Sequence, residues 1–142
     1  MRRLSGILLL ALVAAIAGCN NNKTTTPTTP TTTTTTTTAT VTETFAGKLT
    51  VNGGATFPFT ATGAGTVTAT LSTLAPDATS QIGLSLGTWT GSACQVVIAN
   101  DAAGQTAVVT GTLTSAASLC VRVYDAGKLG APVDFSVAIV HP

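Results

Sequence analysis

The sequence contains three cysteines, the side chains in this chain with the most reactive chemistry. Cys19 directly follows an apolar segment, whereas Cys94 and Cys120 lie in the second half of the chain. If the chain is exported, these last two form an even pair in an oxidising compartment, which predicts a structural disulfide. Such a bridge would close about 27 residues and contribute roughly 3 to 4 kcal/mol in the chain-entropy model. A redox pair is the alternative, but the Cys-x-x-Cys spacing that activates a thiolate is absent.

The residues around Cys120 predict where this bridge lies. Leu119, Val121 and Val123 share one phase of a period-two pattern, and Cys120 falls between them. We therefore expect Cys120 on the less buried face of its strand, where a neighbouring strand or loop could meet its sulfur.

The remaining residue types give little support for catalysis. His141 is the only histidine and is next to the last residue, where a frayed terminus could not hold it between a nucleophile and a carboxylate. Zinc sites need more histidines or thiolates than are left. Asn100, Asp101 and Asp125 lie in segments with turn-forming residues, and their side-chain oxygens could bind calcium. Scattered aspartates more often cap turns. We expect no enzyme, no metal site and no cofactor.

Trp89 and Tyr124 are the aromatic residues best suited to contact a ligand, because sugars stack on exposed rings. Trp89 is out of phase with the apolar residues that precede it, so it points outward if its strand is regular and inward if Gly87 forms a bulge. Packing in the core or at a strand edge is the alternative for both rings.

Residues 1–18 have the layout of a secretory signal, with two arginines, an apolar stretch and small residues at the end. The apolar stretch is too short to cross a bilayer comfortably, since spanning takes about 20 residues. The segment Ile16-Ala17-Gly18-Cys19 resembles the lipobox of bacterial lipoproteins. That resemblance implies cleavage before Cys19, a diacylglycerol on its thiol and usually an acyl chain, such as palmitate, on the new amino group. Two or more chains anchor a protein stably. A plain secretory signal is the alternative.

The residue after Cys19 bears on which membrane carries the anchor. It is Asn20, not the aspartate that resembles an inner-membrane retention signal in enteric bacteria. This favours the outer membrane and leaves the leaflet, periplasmic or surface-facing, open.

Residues 19–40 predict a tether that follows the lipidated cysteine. From Asn20 onward the segment is rich in threonine, contains two prolines and has no apolar residue larger than alanine. Such a segment cannot offset the entropy of ordering, so we expect a disordered or extended stalk.

Residues 41–142 predict an all-β fold. Short runs that alternate apolar residues with threonine or serine recur every 10 to 12 residues or so, and no helical periodicity is present. Roughly eight strands of this kind predict an antiparallel, jelly-roll-like β-sandwich. Asn52-Gly53-Gly54 predicts a tight hairpin turn, because its central residues tolerate positive φ.

The domain also resembles the bacterial pre-peptidase C-terminal domain. The matching segments are TFPFTATGAGTVTATL at residues 56–71, and SLCVRVYD and VDFSVAIV near the end of the chain. The resemblance implies a sandwich that assists a secreted hydrolase in secretion, stability or substrate contact. The acidic pair that many members of that family carry is replaced here by Thr79, Ser80 and Gln81, which puts a calcium site in doubt.

Charge excludes one class of partner. After residue 18 the chain has four basic and five acidic side chains, namely Lys23, Lys48, Arg122 and Lys128 against Glu43, Asp77, Asp101, Asp125 and Asp134. No basic stripe is present that could displace phosphate counterions, so nucleic acid is not expected as a partner.

Taken together, these patterns predict a non-enzymatic envelope lipoprotein whose sandwich contacts a protein or a glycan. A structural envelope component without a ligand, and an accessory subunit of a separate secreted hydrolase, are the alternatives.

Overall fold

The computed structural model describes residues 39–142. The leader predicted over 1–18, the lipidation predicted at Cys19 and all but the last two residues of the stalk predicted over 19–40 lie outside the described residues. No helix in the described part has the length and hydropathy needed to cross a membrane. The described part forms eight strands, β1 Val41–Leu49, β2 Gly54–Ala61, β3 Gly65–Ala75, β4 Ile82–Trp89, β5 Cys94–Ala103, β6 Val108–Leu113, β7 Ala117–Tyr124 and β8 Val133–His141.

The strands form two antiparallel sheets of four strands each. One sheet has the order β1-β8-β3-β6 and the other the order β2-β7-β4-β5. All pairings are antiparallel. This architecture confirms the predicted all-β antiparallel sandwich and its eight strands.

The core lies between the two sheets and follows the period-two pattern of the sequence. In β8, for example, Val133, Phe135, Val137 and Ile139 are buried, and the residues between them are more exposed. The same alternation is present in β3, where Val67, Ala69 and Leu71 are buried. Strands such as β3 and β8 therefore contribute one apolar face to the core, whereas β4 is buried on both faces over Ile82–Gly87 and β5 is mostly exposed.

The turn predicted at Asn52-Gly53-Gly54 forms, but it does not close a hairpin. Asn52 has a φ of 56°, and the Gly53 N–H donates to the Thr50 carbonyl at 2.9 Å. However, β1 pairs with β8, and β2 pairs with β7 in the other sheet. The predicted hairpin is wrong because a tight turn fixes only the reversal of the chain, and here it carries the chain from one sheet to the other.

The last two residues are held firmly, contrary to the frayed terminus expected at His141. His141 is 2% exposed and its ring lies 5.2 Å from that of Phe59. Its Nε2 lies 3.1 Å from Glu43 Oε1, and its Nδ1 lies 3.1 Å from the Pro142 carbonyl oxygen. That carbonyl also accepts a bond from the Thr62 N–H at 2.9 Å. The ring is buried because β8 is an interior strand of its sheet, flanked by β1 and β3.

Candidate functional site

The two cysteines of the disulfide and the two aromatic residues considered for a ligand lie on one sheet. Trp89 is in β4, Cys94 is in β5, and Cys120 and Tyr124 are in β7. These three strands are neighbours in the order β7-β4-β5. The candidate site is therefore the side of this sheet that faces away from the core, together with its free edge at β5.

The predicted disulfide between Cys94 and Cys120 is confirmed. The two Cα atoms are 5.8 Å apart, and the bridge joins β5 to β7, which both flank β4. Gly87 of β4 pairs with Cys120. The register between β4 and β5 shifts at Leu86 and Gly87, and a Cβ on Gly87 would collide with the backbone carbonyl of Gln95. The extra residue at this shift is Val97 of β5, and the missing side chain of Gly87 lets this bulged strand approach β4 closely beside the bridge.

Cys120 lies on the face opposite to Leu119 and Val121, as its phase predicts, but that face is not less buried at this point. The residue is 0% exposed. The sequence-based expectation is wrong because Cys120 lies between β2 and β4 in the sheet and its sulfur is bonded to Cys94 of β5.

Tyr124 is the best-anchored side chain of the outer face. Its hydroxyl donates to the carboxylate of Asp101 in β5. Its ring lies against Gly83 of β4, where a Cβ would collide with the ring. The hydrogen bond to Asp101, with help from partial burial, raises the pKa of the phenol above its usual value. The ring therefore packs on the sheet and bridges β7, β4 and β5.

Trp89 lies far from Tyr124 along the sheet. Tyr124 pairs with Gly83 near the start of β4, whereas Trp89 is the last residue of that strand and is partly buried. Six residues of extended strand separate the two positions by about 20 Å. The two aromatic side chains do not form one stacking surface, and ligand stacking at either stays a prediction.

The edge strand β5 is exposed over a continuous apolar stretch. Val96 is 44% exposed, Val97 is 70% exposed and Ile98 is 37% exposed. Within residues 39–142, β5 pairs only with β4, so the backbone groups on its other side have no ladder partner. Beside it lies an apolar cavity of about 220 Å³ between the two sheets, lined by Val97 and Ile98 with Val67, Leu86, Leu113 and Leu119 among others.

The sequence did not identify this edge as a surface. Three consecutive apolar residues predict a strand buried on both sides, and only the strand order shows that one side of β5 has no neighbour. The usable signal was the absence of charge and proline from Cys94 to Asn100, two of the features that protect exposed edges; a further one, a bulge, is present in β5 at both of its register shifts with β4.

Asp125, one of the two aspartates considered for calcium, holds a loop. Asp125 accepts bonds from the backbone N–H groups of Asn52 at 2.8 Å, Lys128 at 2.8 Å and Leu129 at 3.1 Å. These bonds, that from Asn52 first, lower the pKa of its carboxyl group. Among the described residues no group of three or more metal-binding side chains comes together.

Asp77 and the residues after it close a second loop. The Asp77 carboxylate accepts bonds from the hydroxyl and the N–H of Thr79 at 2.7 and 2.8 Å, and these lower its pKa. Gln81 accepts a bond from Lys128 Nζ at 3.1 Å across a groove of about 520 Å³. Thr79, Ser80 and Gln81 therefore line a groove between two loops, and Asp77 is used to shape one of them.

Asn100 and Asp101 likewise have local roles. The Asn100 side-chain oxygen accepts a bond from the Ala102 N–H at 3.0 Å, and Asp101 receives the Tyr124 hydroxyl. The two residues are adjacent on β5, and in the sequence both are more than 20 residues before Asp125.

No family model and no curated protein matches the chain. Among the solved structures that match it is that of Aeromonas hydrophila PliG, a periplasmic lysozyme inhibitor of g-type lysozyme, with 17% identity, a TM-score of 0.50, and coverage of 69% of this chain and 83% of that one. Another is that of the Yersinia pseudotuberculosis-derived mitogen, with 14% identity, a TM-score of 0.52, and coverage of 73% and 88%. At these identities the likeness shows a shared β-sandwich fold and nothing more specific.

Proposed function

We propose that this protein is a non-catalytic binding domain of the bacterial envelope, tethered through a lipid on Cys19, and that it pairs with an extended segment of a protein partner along β5. The observation that carries the proposal is the exposed apolar stretch Val96–Ile98 at the free edge of β5, in a segment from Cys94 to Asn100 that has no charged residue. An added strand would satisfy the free backbone groups of this edge and cover its valines.

The apolar cavity beside β5 adds specificity to this pairing. A strand that adds to an edge gains affinity from backbone hydrogen bonds and selectivity from pockets for alternate side chains. The cavity of about 220 Å³ is bounded by Val97 and Ile98 of β5 and by Leu113 of β6. An apolar side chain of the added strand would fill it, so we propose a partner segment with alternating apolar residues.

A protein partner is favoured over a glycan by the placement of the aromatic side chains. Trp89 and Tyr124 are about 20 Å apart along β4. The Tyr124 ring lies against Gly83, so one of its faces is covered. Trp89 and Tyr124 therefore do not form the pair of neighbouring exposed rings that would favour a carbohydrate.

A binding role is favoured over catalysis by the surroundings of His141. Both ring nitrogens lie within 3.1 Å of an oxygen, one of Glu43 and the other of Pro142, and the side chain is buried. Neither nitrogen is therefore placed to take a proton from a nucleophile.

The binding proposal is tested by site-specific photocrosslinking in the native cells. A photoreactive phenylalanine at Val97 should give a discrete protein adduct that mass spectrometry identifies, whereas the same residue at Val41, which is 48% exposed on β1, should not. Val97→Lys should abolish capture of the identified partner, because a charge on the edge opposes strand addition, and Val41→Lys should not. No adduct at Val97, or capture unchanged by Val97→Lys, overturns the proposal. An adduct that contains only glycan overturns the choice of a protein partner.

The anchor is tested separately with Cys19→Ala. The variant should lose labelled palmitate and appear in the soluble fraction, because a peptide without acyl chains has no stable hold on a bilayer. Unchanged membrane retention of this variant would exclude the lipid anchor without affecting the binding proposal.

A further inference from the structure

The guanidinium of Arg122 has no ion pair and no hydrogen bond to another side chain in the described part of the chain. Of the three basic residues there, Lys48 lies 3.5 Å from Asp134 and Lys128 bonds Gln81. No carboxylate within residues 39–142 lies within 4.0 Å of the Arg122 guanidinium. Arg122 is exposed on the outer face of β7. Its guanidinium therefore has donors available for a ligand.

The guanidinium is held in place by its neighbours on the sheet. It lies over the ring of Tyr124, 5.1 Å from the ring centroid, and that ring is fixed by Asp101 and Gly83. A Cβ on Gly54 would be 3.7 Å from a terminal nitrogen of Arg122, so the side chain also extends toward β2. An arginine stacked on an anchored aromatic ring loses less conformational entropy when it binds a ligand.

The guanidinium borders a cavity of matching chemistry. The cavity has a volume of about 360 Å³ and is lined by Gly54, Thr56, Cys94 and Arg122. Thr56 is directly opposite Arg122 in the register of β2 and β7, so its hydroxyl is on the same face. Cys94 is in the disulfide and carries no charge. The lining thus offers one positive charge, one hydroxyl and no acidic group.

We propose that this cavity binds a carboxylate. The fork of an arginine matches a planar carboxylate in two parallel hydrogen bonds, and the threonine hydroxyl can donate a third. One positive charge balances a monoanion, whereas a phosphate dianion would remain uncompensated. The cavity is open to solvent and is formed by four residues, so it can contact the carboxylate end of an acidic amino-acid side chain or of a uronic acid.

This site is distinct from the proposed strand addition at β5. Its polar groups belong to β2 and β7, and β5 contributes only the disulfide-bonded Cys94, so the adduct at Val97 does not depend on it. Failure of the crosslinking experiment would leave the carboxylate site standing, and loss of the carboxylate site would leave the pairing at β5 standing.

The test is an NMR titration of the full chain in detergent micelles, with the Arg122 Nε resonance as the readout. Two matched pairs of probes are used, N-acetylglutamate methylamide against N-acetylglutamine methylamide, and glucuronic acid against glucose. We expect the acidic member of one pair to shift the resonance saturably and its neutral partner not to. The pair that responds distinguishes a protein carboxylate from a sugar carboxylate.

Substitutions test the residues that form the site. Arg122→Gln should weaken binding of the responding probe by about tenfold or more, as expected for loss of a charge-assisted hydrogen bond. Backbone amide shifts of Thr56 and Gly54 report binding in this variant. Thr56→Val should weaken binding less, by about threefold to tenfold. Lys128→Gln is the control, because it removes a positive charge from a loop outside the cavity, and it should leave the affinity unchanged.

Four outcomes would overturn the proposal. They are the absence of a selective shift with either acid, equal shifts with the neutral partners, affinity unchanged in both Arg122→Gln and Thr56→Val, and tighter binding of inorganic phosphate than of either acid. If Arg122→Gln does not fold, as judged from its spectrum, Thr56→Val and the probe pairs decide the matter.

Discussion

Removing the disulfide should cost a large share of the stability of this domain. We predict the effect of Cys94→Ala combined with Cys120→Ala. The two residues are 26 positions apart, so the chain-entropy model gives a loss of about 3.5 kcal/mol at 25 °C. For a domain of this size the melting temperature should fall by about 15 °C. Alanine is chosen because Cys120 is fully buried, and serine would bury a hydroxyl.

The free energy of unfolding of the full chain is measured by urea denaturation followed by circular dichroism. Wild-type protein kept in a reductant is the matched control, because it lacks the bridge but retains both sulfur atoms. The two samples should agree within about 1 kcal/mol, the difference reflecting the lost packing of sulfur. A loss of less than about 1 kcal/mol in both samples would refute the reasoning, since the model demands several times that value.

Three further predictions concern the outer face of the second sheet and one loop. Gly87→Ala should destabilise the domain by about 2 to 3 kcal/mol, as for other overpacked sites, because its Cβ would meet the Gln95 backbone; thermal unfolding measures this. The lowered pKa of the Asp125 carboxyl group stabilises the fold above about pH 4, and this stabilisation is lost as the carboxylate is protonated in acid. Asp125→Asn should therefore lower the free energy of unfolding at neutral pH and make it depend less on pH in acid. The raised pKa of the Tyr124 phenol stabilises the fold up to about pH 10, and this stabilisation is lost as the pH rises through the pKa of the folded state. Tyr124→Phe should therefore make the free energy of unfolding fall less steeply above about pH 10.

Each of these predictions has a matched control. Gly104→Ala adds the same methyl group where nothing lies within 4 Å, so equal melting temperatures for it and Gly87→Ala would contradict the first. Asp134→Asn removes one carboxylate from an exposed pair and should not reproduce the acid profile of Asp125→Asn. For Tyr124, Asp101→Asn should lower the pKa of the phenol measured by ultraviolet absorbance, and an unchanged titration would exclude the hydrogen bond as its cause.

The positions of the strands could be predicted from the sequence because burial imposes a period of two. The run from Val133 to Ile139 shows this in β8, and the predicted apolar run Val108–Leu113 coincides with β6. The disulfide could be predicted as well, because the expected export and lipidation of Cys19 would leave Cys94 and Cys120 as an even pair. In both cases the property depends on residue type and local spacing alone.

The pairing of the strands could not be predicted in the same way. Turn residues such as Asn52 and Gly53 favoured a hairpin, yet β4 and β5 are the only consecutive strands among the eight described that pair with each other. A turn determines where the chain reverses, but it does not determine whether the next strand joins the same sheet. That choice depends on which apolar faces meet across the sandwich.

The sequence by itself determined the fold class, the strand positions, the disulfide pair and the expectation of a lipid at Cys19, because each follows from residue type and spacing along the chain. Only the tertiary structure decided that Val97 is exposed, that Cys120 and His141 are buried, and that Arg122 borders a cavity without an acidic partner. The physical reason is that exposure and charge pairing depend on which strand lies alongside, and strand order is set by contacts between residues far apart in the chain.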